Sequence, residues 1–271
     1  MNFLTENEFR KFKDIIYKAS GISFSDINRP ILESRVKERL RIKGLHRPLD
    51  YFDLVSNNSQ EMRILLDSVT TNLTKFFRNV AHFDELKETV IPEIQRRKRL
   101  EGEKRIKIWS AGCSTGEEPY SIAITLLEVI RDFHSWDIEI IASEISFKSL
   151  LAAQEGYYSG EKLENINKNY LTKYFEPKKD GYTIKGYIKK FIRFDYHNLM
   201  NDNGERDVDI IFCRNVIIYF DKAMQKKVMT RFFDCINVDG YLFIGHAESL
   251  FGMNTGFKFK KVGNACLYRK M

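Results

Sequence analysis

From residue 105 onward the chain alternates short apolar strands with amphipathic helices, and few folds satisfy that rhythm. Residues 105–110 read as a strand, and 118–133 as a helix with Ile122, Leu126, Val129 and Ile130 on its apolar face. Residues 138–142 predict a second strand, 148–154 the start of a helix, 208–213 a buried strand, 222–235 a helix and 240–245 another strand. Residues 257–262 and 266–269 predict a terminal antiparallel pair. Strands joined by helices build a mostly parallel sheet covered on both faces. Such sheets bind ligands at the carboxyl ends of their strands. The rhythm breaks once, where the turn signal Asp180-Gly181 introduces two expected antiparallel strands at 181–185 and 187–194. Residues 172–193 are therefore expected to be a small inserted β-subdomain. The basic run 96–99 is expected to be a solvated connection.

Before residue 100 no strand pattern occurs. Thr5 and Glu8 form a capping box, with Leu4 and Phe9 as a hydrophobic staple. Phe9, Phe12, Ile15 and Ile16 then recur at helical spacing. A second helix follows Pro30 and stops near Gly44, with Leu32, Val36 and Leu40 as its stripe. Residues 49–56 and 59–69 predict two shorter helices. The expected division is a helical unit over 1–66, a linker over 67–82 and an α/β domain over 83–271.

The second helix is strongly basic. Arg29, Arg35, Lys37, Arg39, Arg41, Lys43 and Arg47 are opposed only by Glu33 and Glu38 between residues 28 and 48. A solvated helix face and a docking face for an acidic partner both fit. The whole chain carries 44 Lys and Arg against 37 Asp and Glu, a net +7, which suits an acidic partner without naming its kind. The four cysteines (113, 213, 235 and 266) show no CxxC spacing. They are expected to be free thiols in a reducing cytoplasm. No apolar run reaches membrane-spanning length, and the first residues do not resemble a signal peptide. The histidines show no metal-ligand spacing, and no metal is expected.

Four segments carry candidate chemistry. In the first, WSAGCSTGEEPYS (109–121), a strand enters a loop containing Ala111, Gly112 and Gly116 and then a helix. Glycines admit a ligand close to the backbone, and the helix start offers free N–H groups. Glu117 and Glu118 occupy that first turn and would repel a phosphate. A nucleoside with a positive centre suits the site better, as in S-adenosylmethionine; a plain glycine turn with two dipole-stabilising acids fits as well. The second is Glu144, just past a strand, placed to accept hydrogen bonds from ribose hydroxyls. It lies 28 residues beyond Gly116, a longer spacing than the usual ~20. The third, TNLTKFFR (71–78), joins the two units and offers Asn72, Thr74 and Arg78, with Phe76 and Phe77 as anchors. The fourth, CRNVIIYF (213–220), places Arg214, Asn215 and Tyr219 at a strand end, while Asn198-Leu199 follows an earlier strand and is expected at an adenine pocket. Cys213 reads as packing rather than as a nucleophile. No HExxH, GxSxG or P-loop occurs.

These segments, with GYLFIGHAES (240–249), resemble in order and spacing the chemotaxis receptor methyltransferases, the CheR family, from about residue 3 to residue 270. The resemblance implies an all-helical N-terminal domain plus a Rossmann-like methyltransferase domain with a small inserted antiparallel β-subdomain. It implies methyl transfer from S-adenosylmethionine to glutamates on cytoplasmic helices of chemoreceptors, leaving S-adenosylhomocysteine. By motif position the cofactor contacts would be Asn72, Thr74, Arg78, Glu117, Glu144, Asn198, Leu199, Asn215 and Val216, beside Ala111 and Gly112 of the loop. Residues 181–194 are compact and lack the glycine-containing loop with which some members grip a receptor's C-terminal tether, so tether recognition is not expected. Neither is nucleic acid, since base-methylation motifs are missing.

A glutamate carboxylate, with a reference pKa near ~4.3, is already ionised at pH 7 and is its own nucleophile. The expected reaction is an in-line displacement in which alignment does most of the work. Arg78 is expected to hold a carboxylate and Tyr219 to hydrogen-bond near the methyl, as the catalytic pair. Arg35, Lys37, Arg39 and Arg41 are expected to dock the receptor. A scaffold that binds cofactor without turnover, and a methyltransferase acting on nucleic acid or a small molecule, are the competing expectations.

Overall fold

The computed structural model describes residues 2–164, 166–262 and 265–271; the side chains of Val262 and Cys266 also lie outside it. The N-terminal helices form for local reasons. Helix α1 (Glu6–Ser20) carries the capping box: Glu8 N–H donates to Thr5 Oγ1 at 3.3 Å, and Thr5 N–H donates to Glu8 Oε2 at 2.8 Å. Leu4 and Phe9 are buried, as the staple requires. Helix α2 (Arg29–Lys43) has Pro30 in its first turn and ends on Gly44 at φ +66°. Helices α3 (Pro48–Asn57) and α4 (Ser59–Val69) follow, α4 capped by Asn58 accepting from Glu61 N–H at 3.0 Å.

Residues 70–79 are non-helical, and a helical run then reaches residue 100: α5 (Val80–Glu85), a π-helical turn (Leu86–Val90) and α6 (Ile91–Leu100). The wide turn ends just before Pro92, which lacks the N–H a regular helix would use. The basic run 96–99 is the end of α6 and not a solvated connection. Lys98 is buried and reaches Asp209 at 3.1 Å, because a carboxylate at the foot of the sheet draws it in.

The main sheet has seven strands. These are β1 (Arg105–Ala111), β2 (Asp137–Glu144), β6 (Ile192–Tyr196), β7 (Val208–Cys213), β8 (Ile236–Ile244), β9 (Lys258–Val262) and β10 (Ala265–Arg269), in the order β6-β2-β1-β7-β8-β10-β9. The first five are parallel and the last two antiparallel. Helices α7 (Glu117–Val129), α8 (Phe147–Glu155) and α12 (Lys222–Cys235) connect them. A separate sheet, β3-β5-β4, joins β3 (Tyr157–Ser159), β4 (Phe175–Lys178) and β5 (Gly181–Ile184), with short helices α9 (Gly160–Leu163), α10 (Lys168–Tyr174) and α11 (Gly186–Lys189) around it.

The small sheet corrects one expectation. Residues 187–194 do not pair antiparallel with 181–185; they form most of α11 and the start of β6, which lies parallel to β2 at the edge of the main sheet. Strand β5 pairs with β4 and with β3 from upstream instead.

Alternation along the strands sends side chains to two cores. Ile106, Ile108, Ile138, Ile140, Ile210, Phe212, Tyr241 and Phe243 face one. Trp109, Ile141, Ile211, Leu242 and Ile244 face the other, which is continuous with Phe9, Phe12, Leu32, Tyr51 and Leu65 of the N-terminal helices. The helical unit therefore packs on one face of the sheet. Among the described residues no helix is long and apolar enough to cross a membrane.

Candidate active site

A cleft of about 1020 Å³, part of it open to solvent, lies at the carboxyl ends of β1, β2, β6 and β7, where parallel sheets present ligands. The linker 70–78 crosses it, and Ser20 at the end of α1 and Ile22 just beyond it add to the wall. An isolated bridge between Ile22 and Phe220, and Ser23 N–H donating to the Tyr219 carbonyl at 2.9 Å, stitch that wall to the sheet.

The loop after β1 is shaped by close approach. Gly112 sits at φ +84°, and a Cβ there would lie 2.5 Å from Val216 Cγ2. Its N–H and that of Cys113 both donate to the Ser143 carbonyl, at 2.8 and 2.9 Å, so the loop folds over the end of β2. Ala111 lies in the core below and does not line the cleft.

The two acids that open α7 diverge, because adjacent helical residues point about 100° apart. Glu117 does not line the cleft: it is buried against the small-sheet side, where Thr115 Oγ1 and Lys162 Nζ each donate to it at 2.6 Å. Glu118 lines the cleft, accepting from Ser110 Oγ at 2.7 Å and pairing with Arg214 Nη1 at 3.2 Å. Burial pushes the Glu118 carboxyl above its usual range while Arg214 opposes the shift. Arg214 also donates to the Arg78 carbonyl, tying the linker to the end of β7. Both residues lie in segments the sequence marks as candidate chemistry, but neither is among the expected cofactor contacts. The one signal for Glu118 is that only one of two neighbours on a helix can face a given cleft.

Glu144 ends β2 nearly buried in the cleft. Its Oε2 accepts from Ser114 N–H at 2.8 Å, and its Oε1 from the N–H groups of Ile145 and Ser146 at 2.9 Å. Burial raises its pKa, against those three bonds. Three of the roughly four acceptor sites of the carboxylate are thus filled, and Oε2 keeps one for a hydroxyl.

After β6, Leu199 borders the cleft. Asn198 does too, but its side chain is engaged: Nδ2 donates to the Ala19 carbonyl at 2.7 Å and Oδ1 accepts from Met200 N–H at 2.9 Å. After β7, Asn215 adopts φ +59°, and Val216 and a half-buried Tyr219 follow along the wall. On the linker, Asn72, Thr74 and Arg78 line the cleft, and Arg78 Nη1 donates to the Leu73 carbonyl at 2.9 Å. Phe76 anchors this stretch edge-on to Tyr158, centroids 4.8 Å apart.

The remaining groups are poorly suited to base or nucleophile roles. Burial drives the thiols of Cys113 and Cys213 well above the ordinary cysteine value. Burial, with Arg214 and His246 nearby, lowers His82 to about 3, and burial also lowers His197. Among the described residues no three His, Cys, Asp or Glu gather as a metal ion would need.

The basic residues of α2 separate. Lys37 and Arg41 are exposed, and a partly exposed Arg35 stands 3.5 Å from Glu38. Arg39 turns inward and holds Glu61 at 2.9 and 2.6 Å through Nε and Nη2, with Lys43 Nζ on the same carboxylate at 2.8 Å. Arg39 therefore does not belong to an open docking face: the buried Glu61, which also accepts from Tyr51 at 3.1 Å, consumes its charge.

Comparison with known proteins matches the chain to one family in two parts. Residues 72–266 match the family described as CheR methyltransferase, SAM binding domain, and residues 7–70 match CheR methyltransferase, all-alpha domain. Chemotaxis protein methyltransferase 2 of Vibrio cholerae is 34% identical over 98% of this chain and 94% of its own length. The chemotaxis protein methyltransferase of Borreliella burgdorferi is 33% identical over 92% and 90%, and that of Escherichia coli 34% over 95% and 89%.

Proposed function

The chain belongs to the CheR methyltransferase family, and from that premise we propose that it acts in the cytoplasm, methylating glutamate side chains on the cytoplasmic helices of a chemoreceptor. The products are glutamyl methyl esters and S-adenosylhomocysteine. The observation that carries this reading is the convergence of Gly112, Glu144 and Arg78 on one cleft at the strand ends.

The residues present fit S-adenosylmethionine. Glu144 keeps an acceptor site on Oε2 for a ribose hydroxyl, Gly112 lets the loop close against Val216, and Leu199 gives an apolar wall for a base. Glu118 at the floor disfavours a phosphate and suits a cationic ligand. Asn72, Thr74, Asn215 and Val216 complete the contacts, with Glu118 in the place expected of Glu117. When bound, S-adenosylmethionine supplies an electrophilic methyl group on a sulfonium.

The protein's own part is placement. The substrate carboxylate needs no base, in keeping with the depressed histidines and the raised thiols around the cleft. Arg78, on the linker, presents a planar fork that orients the carboxylate. Tyr219, lining the same cleft, supplies a hydroxyl donor. Phe83, Ile22 and Val216 give the cleft apolar lining, so ligands that fill it displace water, which favours a step that neutralises charge. Arg35, Lys37 and Arg41 form the receptor-facing cationic stretch of α2. The β4–β5 hairpin turns through Lys179 and Asp180 alone, which supports docking without tether recognition.

The test mixes the protein with methyl-labelled S-adenosylmethionine and receptor cytoplasmic fragments from the same organism. Label that alkali releases as methanol is expected. Cofactor binding with no label on any receptor overturns the proposal in favour of a scaffold. Arg78→Lys and Tyr219→Phe are each expected to slow turnover at least ~10-fold; near-native turnover in both removes them from the mechanism.

A further inference from the structure

The GHAES segment (245–249) does not itself line the cleft, yet it braces the wall that the linker and the glycine loop face. Glu248, only 9% exposed, folds its carboxylate under the end of β7. Its Oε2 accepts from Asn215 N–H at 2.9 Å and from Gly245 N–H at 2.5 Å, and its Oε1 accepts from Val216 N–H at 2.9 Å. The segment closes on itself through Glu248 N–H donating to the Gly245 carbonyl at 2.9 Å. A side chain on Gly245 would displace the Glu248 carboxylate, because its Cβ would lie 2.7 Å from Glu248 Oε2 and 2.9 Å from Asn215 Nδ2.

These bonds explain an otherwise costly backbone. Asn215 holds φ +59°, a left-handed conformation in which its N–H and that of Val216 leave the strand ladder together. Without an acceptor both would be orphaned at the rim of the sheet. The conformation also sets Val216 so close to Gly112 that the two cleft walls interlock.

We propose that Glu248 is the positioning residue of the Asn215–Val216 wall, fixing it in the geometry that admits the cofactor. This rests on the reading above that the cleft takes S-adenosylmethionine. Only a carboxylate serves, because three donors converge on two oxygens. A carboxamide of the same size turns an N–H₂ toward at least one backbone N–H. An aspartate keeps both oxygens but falls one methylene short.

The test measures S-adenosylhomocysteine affinity by calorimetry, steady-state kinetics and thermal melting in wild type, Glu248→Gln and Glu248→Asp. Glu248→Gln is expected to weaken S-adenosylhomocysteine and raise KM for S-adenosylmethionine at least ~10-fold, leaving KM for the receptor fragment unchanged. Glu248→Asp is expected to recover part of the loss. A lower melting temperature with wild-type affinity in Glu248→Gln makes the role purely structural and overturns the inference. If that variant does not fold, wild-type affinity in Glu248→Asp overturns it equally. A wild-type protein that does not bind S-adenosylhomocysteine instead overturns the cofactor reading on which the inference stands.

Discussion

The cleft and the second helix are both rich in charge, and they use it in opposite ways. In the cleft, Glu144, Glu118 and Arg214 are held by fixed partners yet keep an edge toward the opening. On α2, charge divides by helical phase. Arg29 and Arg39 turn inward, to Glu6 and Glu33 and to Glu61 respectively, while Lys37 and Arg41 face solvent. The difference is one of scaffold. Parallel strands deliver their last residues to one common edge, whereas successive residues of a helix sweep around its whole circumference. A dense run of charge on a helix therefore mixes structural and available groups, and a polar residue at a strand end does not.

The largest expected effect breaks the inward half of α2. Glu61→Ala strands Arg39, whose side chain is 11% exposed, and should lower stability by about 3–5 kcal/mol in chemical denaturation. S-adenosylhomocysteine affinity should stay near wild type. A wild-type denaturation midpoint would erase the distinction between the inward and outward charges. Next in size, Glu144→Ala should weaken S-adenosylhomocysteine by ~10–100-fold in calorimetry. Its stability loss should be only about 1 kcal/mol, because cleft water can replace the lost acceptor. A variant that melts early but binds normally would move Glu144 to the structural side. The smallest effect sharpens the outward half. Lys37→Glu with Arg41→Glu should change stability by no more than about 0.5 kcal/mol. Receptor-fragment affinity should fall several-fold and the salt dependence of binding should weaken. Unchanged receptor binding would return these residues to a solvated face.

What could be read from the chain beforehand follows the same physics. Strand alternation, the Thr5–Glu8 box and the glycine stops report on neighbours in sequence, and α1, α2, β1, β2, β7 and β8 lie close to where those signals place them. Residues 187–194 misled because an alternating apolar pattern fixes a strand but not its partner; β6 pairs with β2, not with the adjacent hairpin. Strand-end groups such as Asn215 and Glu144 were legible because topology dictates where strand ends go. Ser20, Ile22 and Phe83 were not, since each reaches the cleft from a segment whose local pattern says only that it is helical or apolar. Glu117 and Glu118 share one composition signal, and only three-dimensional phase separates them.

The stitch between Asn198 and Ala19 joins residues 179 positions apart. Helices and hairpins form from close neighbours in microseconds, while a closure of this span must first meet the entropy of a long loop. The cleft wall that includes Ser20 and Ile22 therefore exists only when the helical unit and the sheet are both in place. A chain emerging from synthesis can complete its N-terminal helices early, but it acquires this wall only after most of the sheet has been made. Ligand binding in this cleft is therefore a readout of the finished tertiary structure and not of either unit alone.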